Sequence, residues 1–583
     1  MRTVFIHGEQ ERFDEACAEL IDRFTRRHPE PGSAELLELL LDDKVLADGL
    51  LAHWCEDDLQ RVLTEVAPRR AVLTDDWSAA PQLLHRWLDF LADERLLTSN
   101  DSVAALHEAV DAATPAYLRA MADPSEWGSE KFWTITMREL GVDDSDDAAV
   151  EAFHDAVDAG ELDVDQDTAD EITSREAAEP TPEPKVWLSP VELTEDEPHR
   201  EIAAGAPIID RIRTVVEHAG EGDVEKLAAT LGSDTGTAGL LLEWAQRAGL
   251  LRTRGDELVP TLIAAPLLAQ PELVWTKLWQ SFVLLDDAFR DGLDAIAGDE
   301  DDDEDKLPDL VQSVLSVLYG AGEPIPLEIV ASTAADVLEA DDQNPVTELV
   351  VRIVEQWESM NALRTRPATE EERAELPFTT YVELLPAGVW AARQSLRAFG
   401  FHVPTMDSLR LAPAELAVLL FAASAPPAQQ ALAASWIGDQ GAQQAAEELT
   451  ALLELVDDPV VRLPALALLE QTGEDGVAAA RAVADDSVCG PAVRMWLEST
   501  TGEQVAREGD QLLVGVDAMA VVLETDVGLF IGDFAEQPED EQLRMVGDLA
   551  SSEHGHANVL LAAIAEHHEV EEVSAAARNA LDA

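Results

Sequence analysis

The chain has little with which to build a covalent or metal framework. Only three cysteines occur among 583 residues. Cys17, Cys55 and Cys489 lie far apart, with no Cys-x-x-Cys or Cys/His spacing, which argues against a disulfide scaffold or a structural zinc site and for a reducing compartment. Basic residues are also scarce: 39 Lys and Arg face 117 Asp and Glu, giving a net charge of -78 and a pI near 4.2. A surface this negative repels phosphates at long range, which excludes wholesale coating of DNA or RNA. Lysine occurs only at positions 44, 131, 185, 226, 277 and 306. The arginine bias and the acidity fit a salt-rich or high-GC bacterial cytoplasm. Long apolar runs are absent, none approaching the roughly 18 residues of a membrane span. The opening MRTVFIHGEQERFDEACAEL is too acidic for a signal peptide, so a cytoplasmic protein is expected. Aromatics make up 5% of the chain, with 3 Tyr. Cores must therefore be built from Leu, Val and Ala, a mix that favours helix bundles over β-sandwiches.

The hydrophobic fraction of 46% is enough for about three to five units over this length. Residues 1–160 read as a helical domain. Leu83, Leu84, Trp87, Leu88 and Leu91 after Pro81 form one apolar stripe, and further helices are expected over 102–113, 116–121, 129–140 and 147–159. Residues 161–198 turn acidic and Pro-rich and read as a linker. A second linker, 298–308, contains GDEDDDED, whose carboxylates repel one another.

One order of elements recurs around that second break. In 199–297 the sequence predicts helices over 224–231 and 235–248, then strands over 250–253 and 257–259 meeting at Arg254-Gly255-Asp256. In 309–404 it predicts helices over 309–319, 327–338 and 345–360 and strands over 362–366 and 381–385. Helix, helix, β-wing is the winged-helix order, and Glu257-Leu258-Val259-Pro260 matches Glu383-Leu384-Leu385-Pro386 at the ends of the two copies, as in a duplicated module. Residues 405–583 are Ala/Leu-rich, with short helices punctuated by Gly, Asp and Pro, as in a helical-repeat array. Within it, Asp458-Pro459 starts a helix, Gly473 ends it, and 477–483 return antiparallel, a HEAT-type pair with Pro464 bending the first helix. The fold expected is mostly α: a helical N-terminal domain, two winged-helix-like modules and C-terminal HEAT-like repeats.

Three stretches carry a family resemblance: PAYLRAMADPSEWGSEKFWTITMRELGV (115–142), YVELLPAGVWAARQSLRAFGFHVP (381–404) and HANVLLAAIAEHHEVEEVSAAARNALDA (556–583). Through them the chain resembles a family of large uncharacterised actinobacterial proteins with winged-helix-like modules and HEAT-like C-terminal repeats. The resemblance rests on apolar patterning and implies no catalytic motif. The tail departs from the family at His568-Glu569-Val570-Glu571 and 575–583, where a His-Pro-Asp-Lys-like turn and a basic helix are expected.

Candidate chemistry is sparse. A winged helix reads DNA with its second helix and touches phosphates with its wing. Here Arg211, Arg213, Arg247, Arg252 and Arg254 form a modest basic cluster, with Thr235, Thr237 and Gln246 on the reading helix and Glu243 opposing. From His199 to Leu262, 7 bases face 10 acids, a net of -3, where the chain's mean charge density would give about -9. The second copy's long helix carries three Glu and one Arg. Asp163, Asp165 and Asp167 imitate the start of a calcium loop, but Thr168 and Ser174 occupy the positions that need Gly and Glu. His554, His556, His567 and His568 lack completing ligands, so no metal is expected. Val4-Phe5-Ile6-His7-Gly8 has the look of a hydrolase strand and oxyanion turn, but no GxSxG follows. No phosphate loop occurs; Gly232, Gly236 and Gly239 open a helix instead. The expectation is a non-enzymatic, cofactor-free scaffold or adaptor that engages a protein partner. The alternative is a transcription-associated regulator touching DNA through the first module; oligomeric state stays open.

Overall fold

Leu, Ala and Glu at helical spacing dominate the chain, and apart from five short strands the regular structure of the described residues is helical. The computed structural model describes all residues except 7–8, 30–32, 73–78, 145, 160, 163, 179–185, 193–195, 221, 256, 297–305, 339, 341–342, 376–377 and 583. The chain divides into two units, one of Met1–Val186, Leu411–Leu419 and Ile437–Ala583, the other of Trp187–Arg410 and Leu420–Trp436.

In the first unit, helices Gln10–Arg27, Ser33–Ala47, Ala79–Asp93 and Val103–Ala122 share a core in which the rings of Phe24, Trp87 and Phe90 meet at 5.4–5.6 Å. The predicted stripe of Leu83, Leu84, Trp87, Leu88 and Leu91 is buried. The sequence suggests a break near Pro115, yet one helix runs through it. Tyr117 and Met121 lie one and two turns below buried Ala113 and are themselves fully buried, so packing outweighs the roughly 3 kcal/mol cost of an interior proline. Val4-Phe5-Ile6 is a buried extended segment, and Phe5 N donates to Gly49 O at 3.0 Å. Gly49 has φ +69°, and a Cβ there would sit 2.1 Å from Phe5 O, so only glycine allows this approach. His7 and Gly8 lie outside the described residues.

The acidic linker expected over 161–198 is in part a helix, Gln166–Ala178. Ala169 and Ile172, one turn apart on an otherwise polar helix, pack with Trp127 and Phe132, and Glu176 Oε1 accepts from Ser129 N at 2.9 Å. Two apolar residues at the right spacing are enough to dock a helix whose composition reads as disordered. Asp165 caps that helix, accepting from Thr168 N at 3.1 Å and Thr168 Oγ1 at 2.9 Å, so its carboxylate is a helix cap and no calcium ligand; Asp163 lies outside the described residues.

The C-terminal helices and the N-terminal domain, which the sequence reading separates, are parts of the same unit. Met1 N donates to Leu455 O at 2.5 Å, and Arg2 lies 3.8 Å from Asp458. Glu415 is buried and accepts from Thr3 N at 2.9 Å, Thr3 Oγ1 at 2.8 Å and Val4 N at 3.1 Å. Among the C-terminal helices, Asp458 caps Pro459–Glu470 through Val460 N, and the helix continues through Pro464. Buried ion pairs cross between helices: Arg462 with Asp517 at 2.6 Å, and Arg494 with Asp510 at 2.7 Å. His554 Nε2 lies 3.0 Å from Asp517 Oδ1, which gives that histidine a carboxylate partner in the repeat core.

The second unit holds both copies of the recurring pattern. In the first, helices Pro207–His218, Val224–Leu231 and Thr235–Arg247 precede antiparallel strands Leu251–Arg254 and Glu257–Pro260, with Arg252 opposite Val259 and Arg254 opposite Glu257. In the second, helices Lys306–Ala321, Leu327–Val337 and Gln343–Ser359 accompany a three-stranded antiparallel sheet with Thr380–Leu384 between Ile325–Pro326 and Leu363–Pro367. The sequence does not reveal Ile325–Pro326, because two residues carry no periodicity. In the first copy the equivalent place is taken by Gly220, whose carbonyl accepts from Leu258 N at 2.7 Å. The acidic run 298–305 lies outside the described residues, and 306–308 begin a helix.

The two copies are not separate bodies: residues from Ala203 to Val403 form one buried cluster. Helix Pro271–Ser281 binds them together. Trp275 Nε1 donates to Met360 O at 2.7 Å and Trp279 Nε1 to Ser395 Oγ at 2.9 Å, while Trp279 stacks on Trp275 at 5.5 Å and on Trp357 at 5.2 Å.

Candidate functional site

In each copy the helix that would read a nucleic acid is the one before the wing, and its sequence decides what it can offer. Thr235–Arg247 reads TGTAGLLLEWAQR, with apolar residues on more than one face, the pattern of a helix enclosed by protein. Asp234 caps it, accepting from Thr237 N at 2.8 Å, which fixes where it starts. Along its length Ala238, Leu240, Leu241, Leu242, Trp244 and Ala245 are buried. Trp244 Nε1 donates to Leu278 O at 2.8 Å and its ring meets Phe282 edge-on at 5.3 Å, so the following helices cover its apolar side. Thr235 and Arg247 at the two ends are exposed, and Gln246 is half-buried.

The second copy repeats the arrangement. On Gln343–Ser359, Arg352 places its guanidinium 4.8 Å from the Phe289 ring and donates to Ala288 O at 2.6 Å. Gly292 faces Leu349 so closely that a Cβ would lie 2.5 Å from Leu349 Cδ2. Helix Asp286–Ile296 thus packs on the reading helix of the second copy. The wing arginines of that copy are paired within it: Arg364 with Glu383 at 2.5 Å, and Arg366 with Glu372 at 2.6 Å.

The five arginines singled out from the sequence lie on three elements. Arg211 and Arg213 are half-buried on Pro207–His218. Burial pulls the Arg211 guanidinium below its usual range, against the favourable field of Asp234. Arg213 pairs with Asp210 at 2.5 Å. Arg247 lies 3.7 Å from Glu243 and 3.8 Å from Asp287. Burial and the like charge of Asp287 raise the Glu243 carboxyl. Arg252 and Arg254, two apart and so on one face of their strand, are exposed and have no carboxylate partner among the described residues. The structure therefore pairs Arg213 and Arg247 with local acids, sets Arg211 in the field of Asp234, and leaves Arg252 and Arg254 without a carboxylate partner among the described residues. The sequence reading places further helices after the first wing, within 199–297, but not their packing on Thr235–Arg247; the signal for that packing is the aromatic-rich run WTKLWQSFVLLDDAF, too apolar for a solvent-facing connection.

Among the described residues no group of three or more His, Cys, Asp or Glu side chains is placed to hold a metal ion, and no helix is long and apolar enough to cross a membrane. The three cysteines are free, with Cys17 and Cys489 buried. Compared with protein-family models, curated proteins and solved structures, the chain matches none.

Proposed function

We propose that the chain is a non-catalytic, cytoplasmic protein-interaction scaffold or adaptor. In this reading the second unit is a pair of winged-helix-like modules fused through their reading helices, and the C-terminal helices are HEAT-like repeats, as the resemblance to the actinobacterial family implies. The observation that carries it is what the open side of Thr235–Arg247 offers: its apolar side is buried, and on the other Arg247 lies 3.7 Å from Glu243 and 3.8 Å from Asp287, a poor surface for base readout. An extended helical array offers the surface a protein partner needs. Free cysteines fit a reducing compartment.

Affinity capture from the native cells with nuclease present, followed by reconstitution of the captured protein with the purified chain, tests this reading. A nuclease-resistant complex of fixed stoichiometry is expected. Partners that all vanish with nuclease would contradict it. One observation favours the second reading, a transcription-associated regulator: Arg252 and Arg254 are exposed on the hairpin with no carboxylate partner among the described residues. Contact through them alone would be phosphate binding without sequence preference.

A further inference from the structure

Helices Asp510–Thr525, Val527–Ala535 and Glu539–Ser551 enclose an open apolar groove of about 220 Å³, walled by Met519, Val522, Phe530, Phe534 and Met545. The two Phe rings are buried and 6.1 Å apart, and over them the Met and Val side chains are half-exposed. The same region leaves Val527 40% and Leu529 52% exposed, more apolar surface than the repeats need for their own packing.

Charge says what would cover it. From Gly515 to Ser551 nine carboxylates face one base, a net of -8 where the chain's mean density would give about -5. That base, Arg544, is paired with Glu541. Asp517 and Glu524 are neutralised by Arg462 and Arg12. Asp533 in the groove wall, and Glu536, Glu539 and Asp540 flanking Gln537 at its edge, are exposed with no basic partner among the described residues. Thioethers adapt to irregular apolar shapes, and a groove of this kind takes the i, i+3, i+4 and i+7 side chains of an amphipathic helix.

We propose that the groove docks the apolar face of a basic amphipathic helix from a partner protein. The acidic rim pairs with Lys and Arg on the flanks of that helix, and it turns away a second copy of this chain, whose net charge is -78. This rests on the interaction reading above and names the partner's chemistry.

The test is fluorescence anisotropy with the full chain at physiological salt, using a labelled Lys/Leu peptide of about 18 residues with Leu at helical spacing. A scrambled peptide of equal charge and no apolar face is the control. The patterned peptide is expected to bind at least about tenfold more tightly, a step that one buried apolar side chain supplies. Ala518→Trp, which fills the groove from an exposed position, and Asp533→Lys, also exposed, bring its affinity down to that of the scrambled peptide. Val559→Ser, at an exposed apolar site on another helix, leaves it unchanged. Equal binding of the two peptides, or indifference to Ala518→Trp and Asp533→Lys, would overturn the proposal. If the captured partner still forms its complex with the Ala518→Trp chain, the groove assignment fails and the interaction reading stands. If no partner complex exists but the patterned peptide binds as described, the reverse holds.

Discussion

Replacing Trp279 by Ala tests whether the two modules share one core. The indole stacks between Trp275 and Trp357 and donates to Ser395 Oγ, so it touches helices from both copies. Deleting a buried Trp costs about 3–5 kcal/mol through lost transfer and the cavity left behind, and the abandoned Ser395 hydroxyl adds about 1 kcal/mol. Peptide-resolved hydrogen exchange on the full chain reads the effect. Peptides covering Ile208–Val216 in the first copy and Val346–Val354 in the second should lose protection together, by about three to four decades, since each 1.4 kcal/mol is a factor of ten. Loss confined to one copy would refute the shared core and restore two independent modules.

Three further outcomes follow from particular contacts. Arg494→Ala leaves Asp510 charged and nearly buried, so urea denaturation should show a loss of about 3–5 kcal/mol, while pairing it with Asp510→Leu recovers most of that. The Arg494 hydrogen bond lowers the Asp510 carboxyl, so this contribution is present above about pH 4, the unfolded value, and disappears as pH falls through the lower folded value. Burial pulls Lys131 down to about 8. The unfolded chain then binds more protons between about pH 8 and 10.5, so stability rises with pH across that window, and Lys131→Met should remove the slope in denaturation curves. Gly388→Ala places a Cβ 1.9 Å from Ala362 O and should lower the melting temperature sharply, whereas Gly320→Ala meets nothing within 4 Å and should hold or raise it.

Local periodicity carried most of the secondary structure. The hairpin at Leu251–Arg254 and Glu257–Pro260 and the helix at Val224–Leu231 follow from alternation, caps and glycine alone. What sequence could not show was which surfaces meet. Gln166–Ala178 looks like linker because its charge hides Ala169 and Ile172. What buries the apolar side of Thr235–Arg247 is equally hidden, because Leu278 and Phe282, which meet Trp244, lie more than thirty residues downstream of that helix. Long-range pairing also joins Thr3 and Val4 to Glu415, a contact that no local pattern announces. Of the basic cluster, the residue types were legible; that acids occupy Arg213 and Arg247 while Arg252 and Arg254 meet none among the described residues depends on packing.

Titration of the full chain with random-sequence duplex DNA at low salt tests the central claim most directly. With Arg213 and Arg247 paired to acids and the chain strongly acidic, the account predicts no binding at micromolar protein. Micromolar or tighter binding that falls steeply with salt and is abolished by Arg252→Glu would contradict it and establish the wing as a DNA contact.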